Sequence, residues 1–243
     1  MIHIDNITLP YGLNQITCRI PQGKLIGIMG ANGAGKSTLL KALAGILPLT
    51  SGEIWLENCK MMALSPQQRS QKIAYLAQKL NLAWQLSVFD VIALGLPCPL
   101  SSSQERLRIQ QVAEKFHITS LLDKNYQQLS GGEQIRVQLA RCCIKQAPIL
   151  LADEPIAPLD PYYQIDIMQQ LKSLTPVQTC VVVIHHLPLA YRFCDEIILL
   201  KEGNLLAFGQ TQAVLNAENL AKAFGVKAEI DLERKEIGRI EKL

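Results

Sequence analysis

Five short apolar runs punctuate the chain: Leu25 to Met29, Ile73 to Ala77, Ile149 to Ala152, Cys180 to Ile184 and Ile197 to Leu200. Their length and branched content predict strands, and the stretches between them carry apolar residues at helical spacing. Ile135, Leu139, Cys142 and Cys143, for example, fall at i, i+4, i+7 and i+8. This alternation predicts an α/β fold with a parallel sheet covered on both faces. Upstream, Ile4, Ile7, Ile16, Ile20, Ile54 and Leu56 lie in extended contexts and predict an antiparallel β flank. From Val88 to Gln146 the pattern is mostly helical, broken at Pro97 to Ser103, as expected of an inserted helical subdomain. A helical segment follows Gly209 as far as Phe224, and the charged tail Asp231 to Leu243 reads either as a last strand or as a loosely ordered end.

With 243 residues, 49% hydrophobic against 19% charged, the chain can bury a sizeable core, which excludes disorder as its main character. No uninterrupted apolar run reaches the roughly 18 residues that a membrane span needs. The most apolar stretch, Asn81 to Leu100, is broken by Gln85, Asp90, Pro97 and Pro99, so it predicts a buried or docking surface. The start, Met1-Ile2-His3-Ile4-Asp5, lacks the basic and apolar regions of a secretory signal, and a cytoplasmic protein is expected. Seven cysteines with no CxxC pair suggest reduced, core-packing thiols. A formal net charge of +3, spread along the chain, lacks the clustered basic footprint of a nucleic-acid binder, and no nucleic-acid partner is expected.

Gly30-Ala31-Asn32-Gly33-Ala34-Gly35-Lys36-Ser37-Thr38 matches GxxxxGK[ST] between an apolar strand and a helical run. Its glycines let successive N–H groups turn towards an anion, and the helix start adds its positive dipole end. Lys36 would reach the β- and γ-phosphates, and the Ser37 hydroxyl would coordinate Mg²⁺. The spacing G-x-x-G-x-G disfavours a dinucleotide fingerprint. Ile149 to Ala152 ends in Asp153 and Glu154, whose opposite facing on a strand permits two jobs. Asp153 would hold the Mg²⁺ shell, and Glu154 would act as general base on the attacking water. Ser130 and Glu133 form a capping-box pattern at a helix start. Ser130 with the N–H groups of Gly131 and Gly132 could also form a second anion site, useful if two molecules close over each other's nucleotide.

With Leu129-Ser130-Gly131-Gly132-Glu133 added to the phosphate loop and the acidic strand, the chain resembles the ATP-binding subunits of ABC transporters over nearly its whole length. The resemblance implies a P-loop NTPase core with an inserted α-helical subdomain in one domain, 1–243. Residues 1–78 and 147–215 would form the RecA-like core with its β flank, 79–146 the helical subdomain and 216–243 a tail. It further implies that Tyr11 stacks on adenine and that Gln78 touches Mg²⁺ and the water. Asp160 would lie at the dimer interface and His185 would contact the γ-phosphate. Ile156, Pro158 and His186 depart from the family pattern, which usually has Thr at the first position and Asp at the last. Ala63 to Pro66, Leu86 to Gly95 and Asn219 to Val226 resemble importers of iron-siderophore, haem and cobalamin, with zinc or manganese importers as close relatives. The implied cofactors are ATP and Mg²⁺. The implied partners are a second copy, with ATP at the interface, integral membrane permease subunits docking near Gln78 to Gly95, and indirectly a substrate-binding protein. The protein would be peripheral on the cytoplasmic face of the inner or plasma membrane. A soluble ABC-type ATPase of cofactor assembly shares the same residues. A regulatory module with little turnover is disfavoured by Glu154, and a GTPase by the absence of N-K-x-D.

Overall fold

The five apolar runs all become strands of one sheet, with bounds within one residue of those expected from the sequence. The computed structural model describes residues 1–10, 12–78, 85–96, 100–231 and 236–242. In chain order, β1 (Ile2–Leu9), β2 (Leu13–Ile20), β3 (Leu25–Gly30), α1 (Lys36–Leu43), β4 (Ser51–Leu56), β5 (Cys59–Lys60), α2 (Pro66–Lys72) and β6 (Ile73–Leu76) lead to helices α3 (Val88–Ala93), α4 (Ser102–Lys115) and α5 (Gly131–Cys143). Then come β7 (Ile149–Asp153), α6 (Pro161–Leu174), β8 (Thr179–Val183), α7 (Leu187–Phe193), β9 (Glu196–Lys201) and β10 (Asn204–Gln210). Short helices α8 (Thr211–Val214) and α9 (Ala217–Phe224) precede the hairpin β11 (Val226–Asp231) and β12 (Glu236–Lys242).

The main sheet has the order β10-β9-β3-β8-β7-β6 and is parallel except for β10. A second, antiparallel sheet, β2-β1-β4-β5, is the expected flank. Because β3, β7 and β8 are buried on both faces, their alternate residues enter two different cores. Ile26, Leu151 and Val181 meet Leu39 and Leu40 of α1 and Ile4, Ile16 and Ile54 of the flank. Leu25, Leu150 and Val182 instead share a cluster with Val91, Phe116, Leu139 and Ile167 from the helices. Helix α1 is thus enclosed between the two sheets, which fixes the loop that precedes it.

Two strands were not anticipated: β10, which returns antiparallel to β9, and β11, which pairs antiparallel with β12, so that the tail takes its strand reading in its described part. Helix α5 is buried on nearly every side, including Arg136 and Gln138, so its apolar positions understate its burial. Among the described residues, no helix is long and apolar enough to cross a membrane. Burial pushes the thiols of Cys18, Cys180 and Cys194 up to about 12, so they pack as neutral core groups.

Candidate active site

β3 ends on Gly30, at φ +150°, where a Cβ would stand 2.4 Å from the Leu200 carbonyl oxygen, so only glycine permits this approach to β9. The loop closes on Gly35, the N-cap of α1, at φ +95° and with equally little room against Gly12. The first turn of α1 therefore presents Lys36, Ser37 and Thr38 to a cleft of about 350 Å³, which Asn32, Gly33, Glu154 and His185 also line. Ala31 and Ala34 complete the loop, bonded to each other through Ala34 N and Ala31 O at 3.2 Å. Lys36 Nζ donates to the carbonyls of Gly30 at 3.0 Å and Ala31 at 2.7 Å. Burial draws the Lys36 ammonium below its ordinary pKa, against the pull of Glu154 and Asp153. Its charge has backbone dipoles around it and is poised for an anion.

At the end of β7, Asp153 is 2% exposed and accepts a hydrogen bond from Ser37 Oγ at 2.9 Å. Burial pushes its carboxyl up, the Ser37 bond pulls the other way, and the neighbouring Glu154 charge adds to the push. Glu154 diverges from Asp153 by leaving the strand at φ +55°, rather than by strand alternation as expected from the sequence. That left-handed step delivers its carboxylate to the cleft. There Oε2 accepts from Gln78 Nε2 at 2.9 Å, and Oε1 lies 2.8 Å from His185 Nε2. Gln78 and His185, which follow β6 and β8, are 76 and 31 residues from Glu154 in the chain, and the sheet brings them to one carboxylate. The adjacent histidines separate cleanly. His186 is the N-cap of α7, its Nδ1 accepting from Leu189 N at 3.2 Å.

Ser130, Gly131, Gly132 and Asp160 do not line this cleft. Ser130 caps α5 in a reciprocal box with Glu133, whose carboxyl is held low by the backbone and side-chain bonds from Ser130. A Cβ on Gly132 would lie 3.3 Å from Leu159 Cδ2, so the start of α5 abuts the turn that leads to Asp160. Asp160 is the exposed N-cap of α6 with no side-chain cap bond, and Gln164 Nε2 pins the turn through the Leu159 carbonyl at 2.9 Å. Ile156 is 4% exposed and serves the core. Tyr11 lies outside the described residues. The sequence reading passed over Arg136, a buried guanidinium 4.3 Å over the Tyr163 ring that donates to the His117 carbonyl at 2.9 Å. It ties α5 to α6 and to the end of α4, and a charge within a buried helix was its only sequence signal.

A glycine-rich loop, a buried carboxylate bonded to its serine and a second carboxylate facing the cleft supply the donors and the acid that nucleotide hydrolysis requires. The sequence profile described as ABC transporter matches residues 13–157. The hemin import ATP-binding protein HmuV of Bordetella pertussis is 37% identical, over 93% of this chain and 92% of that protein. The thiamine import ATP-binding protein ThiQ of Yersinia pestis is also 37% identical, over 95% and 99%. The dimeric structure of MJ0796, a bacterial ABC transporter cassette, superposes with a TM-score of 0.79 at 31% identity, covering 87% of this chain and 99% of that one. An inward-facing metal-chelate type ABC transporter gives a TM-score of 0.82 over 100% and 96%, and at 23% identity this likeness shows the fold alone. The chain belongs to the ABC transporter family, as an ATP-binding subunit that couples ATP hydrolysis to transport.

Proposed function

We propose that this chain is the motor of an importer, in which two copies close head to tail over two ATP molecules and separate after hydrolysis. The observation that carries the reading is Glu154, oriented through both carboxylate oxygens by Gln78 and His185 at the mouth of the phosphate-loop cleft. Lys36 would exchange its two carbonyl partners for phosphate oxygens, and Tyr11 would stack on adenine. The donor set beside the loop suits Mg²⁺: a buried carboxylate and a hydroxyl are hard oxygen ligands, and so few of them fit an ion that keeps waters and binds phosphates. Ser37 and Asp153 would hold the ion, with Gln78 at its edge, and bound there it would neutralise phosphate charge.

Glu154 takes the proton of the attacking water. Each of its carboxylate oxygens has one partner and a further lone pair for the water, and His185 would turn from Oε1 to meet the γ-phosphate. Ser130 and the amides of Gly131 and Gly132, first-turn donors with no helical acceptor, would face the other copy's nucleotide beside Asp160. The division into core (1–78 and 147–215) and helical insertion (79–146) belongs to this reading. So does docking of a membrane permease near Gln78 to Gly95, on the cytoplasmic face.

For cargo, the likeness to HmuV over nearly the full length supports haem or a related metal chelate. A thiamine-type cargo is the second reading, favoured by an equal identity to ThiQ. The test is Glu154→Gln in the chain co-purified from detergent with its membrane partner. ATP binding and dimerisation should persist while turnover is lost, and equal, negligible turnover of parent and variant would remove the enzyme reading. Uptake of radiolabelled haem against thiamine into vesicles that carry the complex separates the two cargoes.

A further inference from the structure

The turn between β9 and β10 touches the phosphate loop directly. The Gly203 amide donates to the Ala34 carbonyl at 3.2 Å, and the Gly203 carbonyl accepts from the amide of Asn14, at the start of β2, at 2.8 Å. One buried residue from late in the chain thus bridges the loop that would grip phosphate and the segment that follows Tyr11.

Between these two bonds the Gly12 carbonyl sits in a slot with room for an oxygen and little else. A Cβ on Gly35 would stand 2.4 Å from that oxygen, and a Cβ on Gly203 would stand 2.8 Å from it and 2.9 Å from its carbon. Both oxygen distances fall below the roughly 3.3–3.6 Å of a weak C–H···O contact, so neither position has space for a side chain. Gly35 also serves the phosphate loop itself, as the left-handed N-cap of α1. Gly203 has no such second duty. Its φ of +80° alone would admit asparagine at modest cost, so the contact with Gly12 is what demands a missing side chain here.

Adenine and triphosphate belong to one molecule, and a protein that holds both must present the two contacts at a matching separation before the ligand arrives. We propose that Gly203 is a positioning residue for the nucleotide, setting the separation between the aromatic platform at Tyr11 and the phosphate loop. It does so through the Gly12 carbonyl on one side and the Ala34 carbonyl on the other. The inference rests on the reading of Tyr11 as the adenine platform and adds the residue that places it. A side chain at 203 would push the Gly12 carbonyl away, and the preceding residue with it, while Lys36 and Ser37 stay fixed on α1, which the two sheets enclose.

The test is calorimetric titration of the full chain with ATP and, separately, with inorganic triphosphate, both with Mg²⁺. Gly203→Ala should weaken ATP binding about tenfold, within the range that stacking on an aromatic side chain supplies, and leave triphosphate binding within about twofold of the parent. Gly203→Asn, which eases the backbone and keeps the Cβ, should do the same, and it decides the matter if the alanine variant does not fold. Gly209→Ala, at φ +150° near the far end of β10 but with no atom nearer than 3.8 Å to its new Cβ, should change neither affinity. Tyr11→Ala/Gly203→Ala should bind ATP no more weakly than Tyr11→Ala, because the glycine acts through the platform. Parent-like ATP binding by Gly203→Ala, equal weakening of ATP and triphosphate, or additive losses in the double variant overturns the inference. If Tyr11→Ala itself binds ATP as the parent does, the platform reading fails and this inference with it.

Discussion

His185 and His186 are neighbours in sequence, yet the structure gives them separable jobs, and substituting each in turn puts this to the test. His186 Nδ1 accepts from Leu189 N at 3.2 Å, a long cap bond on a helix of only 7 residues. Removing an N-cap costs about 1 kcal/mol, which in a chain of this size lowers the melting temperature by about 2–4 °C. His186→Ala is therefore expected to melt slightly lower and to hydrolyse ATP near the parent rate, and His186→Asp, which restores a preferred cap, should recover the loss. His185 contacts Glu154 with side chains 40% and 20% exposed, and pairs so accessible contribute about 0–1 kcal/mol to stability. Its effect should appear in turnover instead. Positioned acid–base groups contribute about 10²–10⁴-fold, so His185→Ala should lose at least 10²-fold in kcat with ATP affinity largely kept. The assay is steady-state ATP hydrolysis by the purified chain, alone and with the membrane protein proposed as its partner, alongside thermal melts with and without MgATP. Loss of turnover in His186→Ala with retention in His185→Ala would reverse the assignment, and equal losses would show that the cap and the cleft are not independent.

Asp153 offers a trade of stability against binding. Burial raises its carboxyl pKa, so protonation favours the folded chain; this contribution is complete below the unfolded pKa of about 3.9 and is lost as pH rises through the folded value. Asp153→Asn keeps an acceptor for Ser37 and removes the buried charge, so the nucleotide-free chain should melt higher at neutral pH, while the stabilisation by MgATP seen in the same melts should vanish. Two glycines should respond in opposite ways. Gly95→Ala forces a Cβ to within 2.0 Å of the Arg141 carbonyl oxygen and should cost about 1–3 kcal/mol in urea unfolding. Gly131 has only Pro158 Cβ, at 4.0 Å, near its would-be Cβ, so Gly131→Ala should melt no lower than the parent. If the start of α5 must approach a second copy's nucleotide, the same variant should lose ATP-dependent dimerisation, measured by size-exclusion chromatography with light scattering.

Strands buried on both faces advertise themselves as unbroken apolar runs, and for that reason β3, β7 and β8 were legible from sequence. The start of α1 was equally plain, since the glycine loop and Lys36 admit few other local structures. β10 was not, because its interior is half-buried throughout and shows neither a continuous run nor an alternation. Hydrophobic periodicity also cannot see Arg136 and Gln138, polar residues whose burial is matched by the His117 carbonyl and the Tyr126 hydroxyl. In the site, Ser37 and Asp153 could be paired from their motifs. Gln78, Glu154 and His185 were linked only by resemblance, since their convergence depends on the order of β6, β7 and β8 in the sheet. The left-handed turn at Glu154 leaves no trace in composition, because glutamate is not a residue that ordinarily marks such a backbone.

Because Leu39 and Leu40 are walled on one side by Ile4, Ile16 and Ile54, the loop that would grip phosphate has a floor built by the first sixty residues of the chain. That region cannot be treated as a detachable ornament. A fragment that began at β3 would keep every motif residue from Gly30 onward and yet leave α1 with a greasy underside open to water. Such a fragment should come out of cells insoluble, whereas a bulky tag joined ahead of Met1, which is 51% exposed, should be carried without harm.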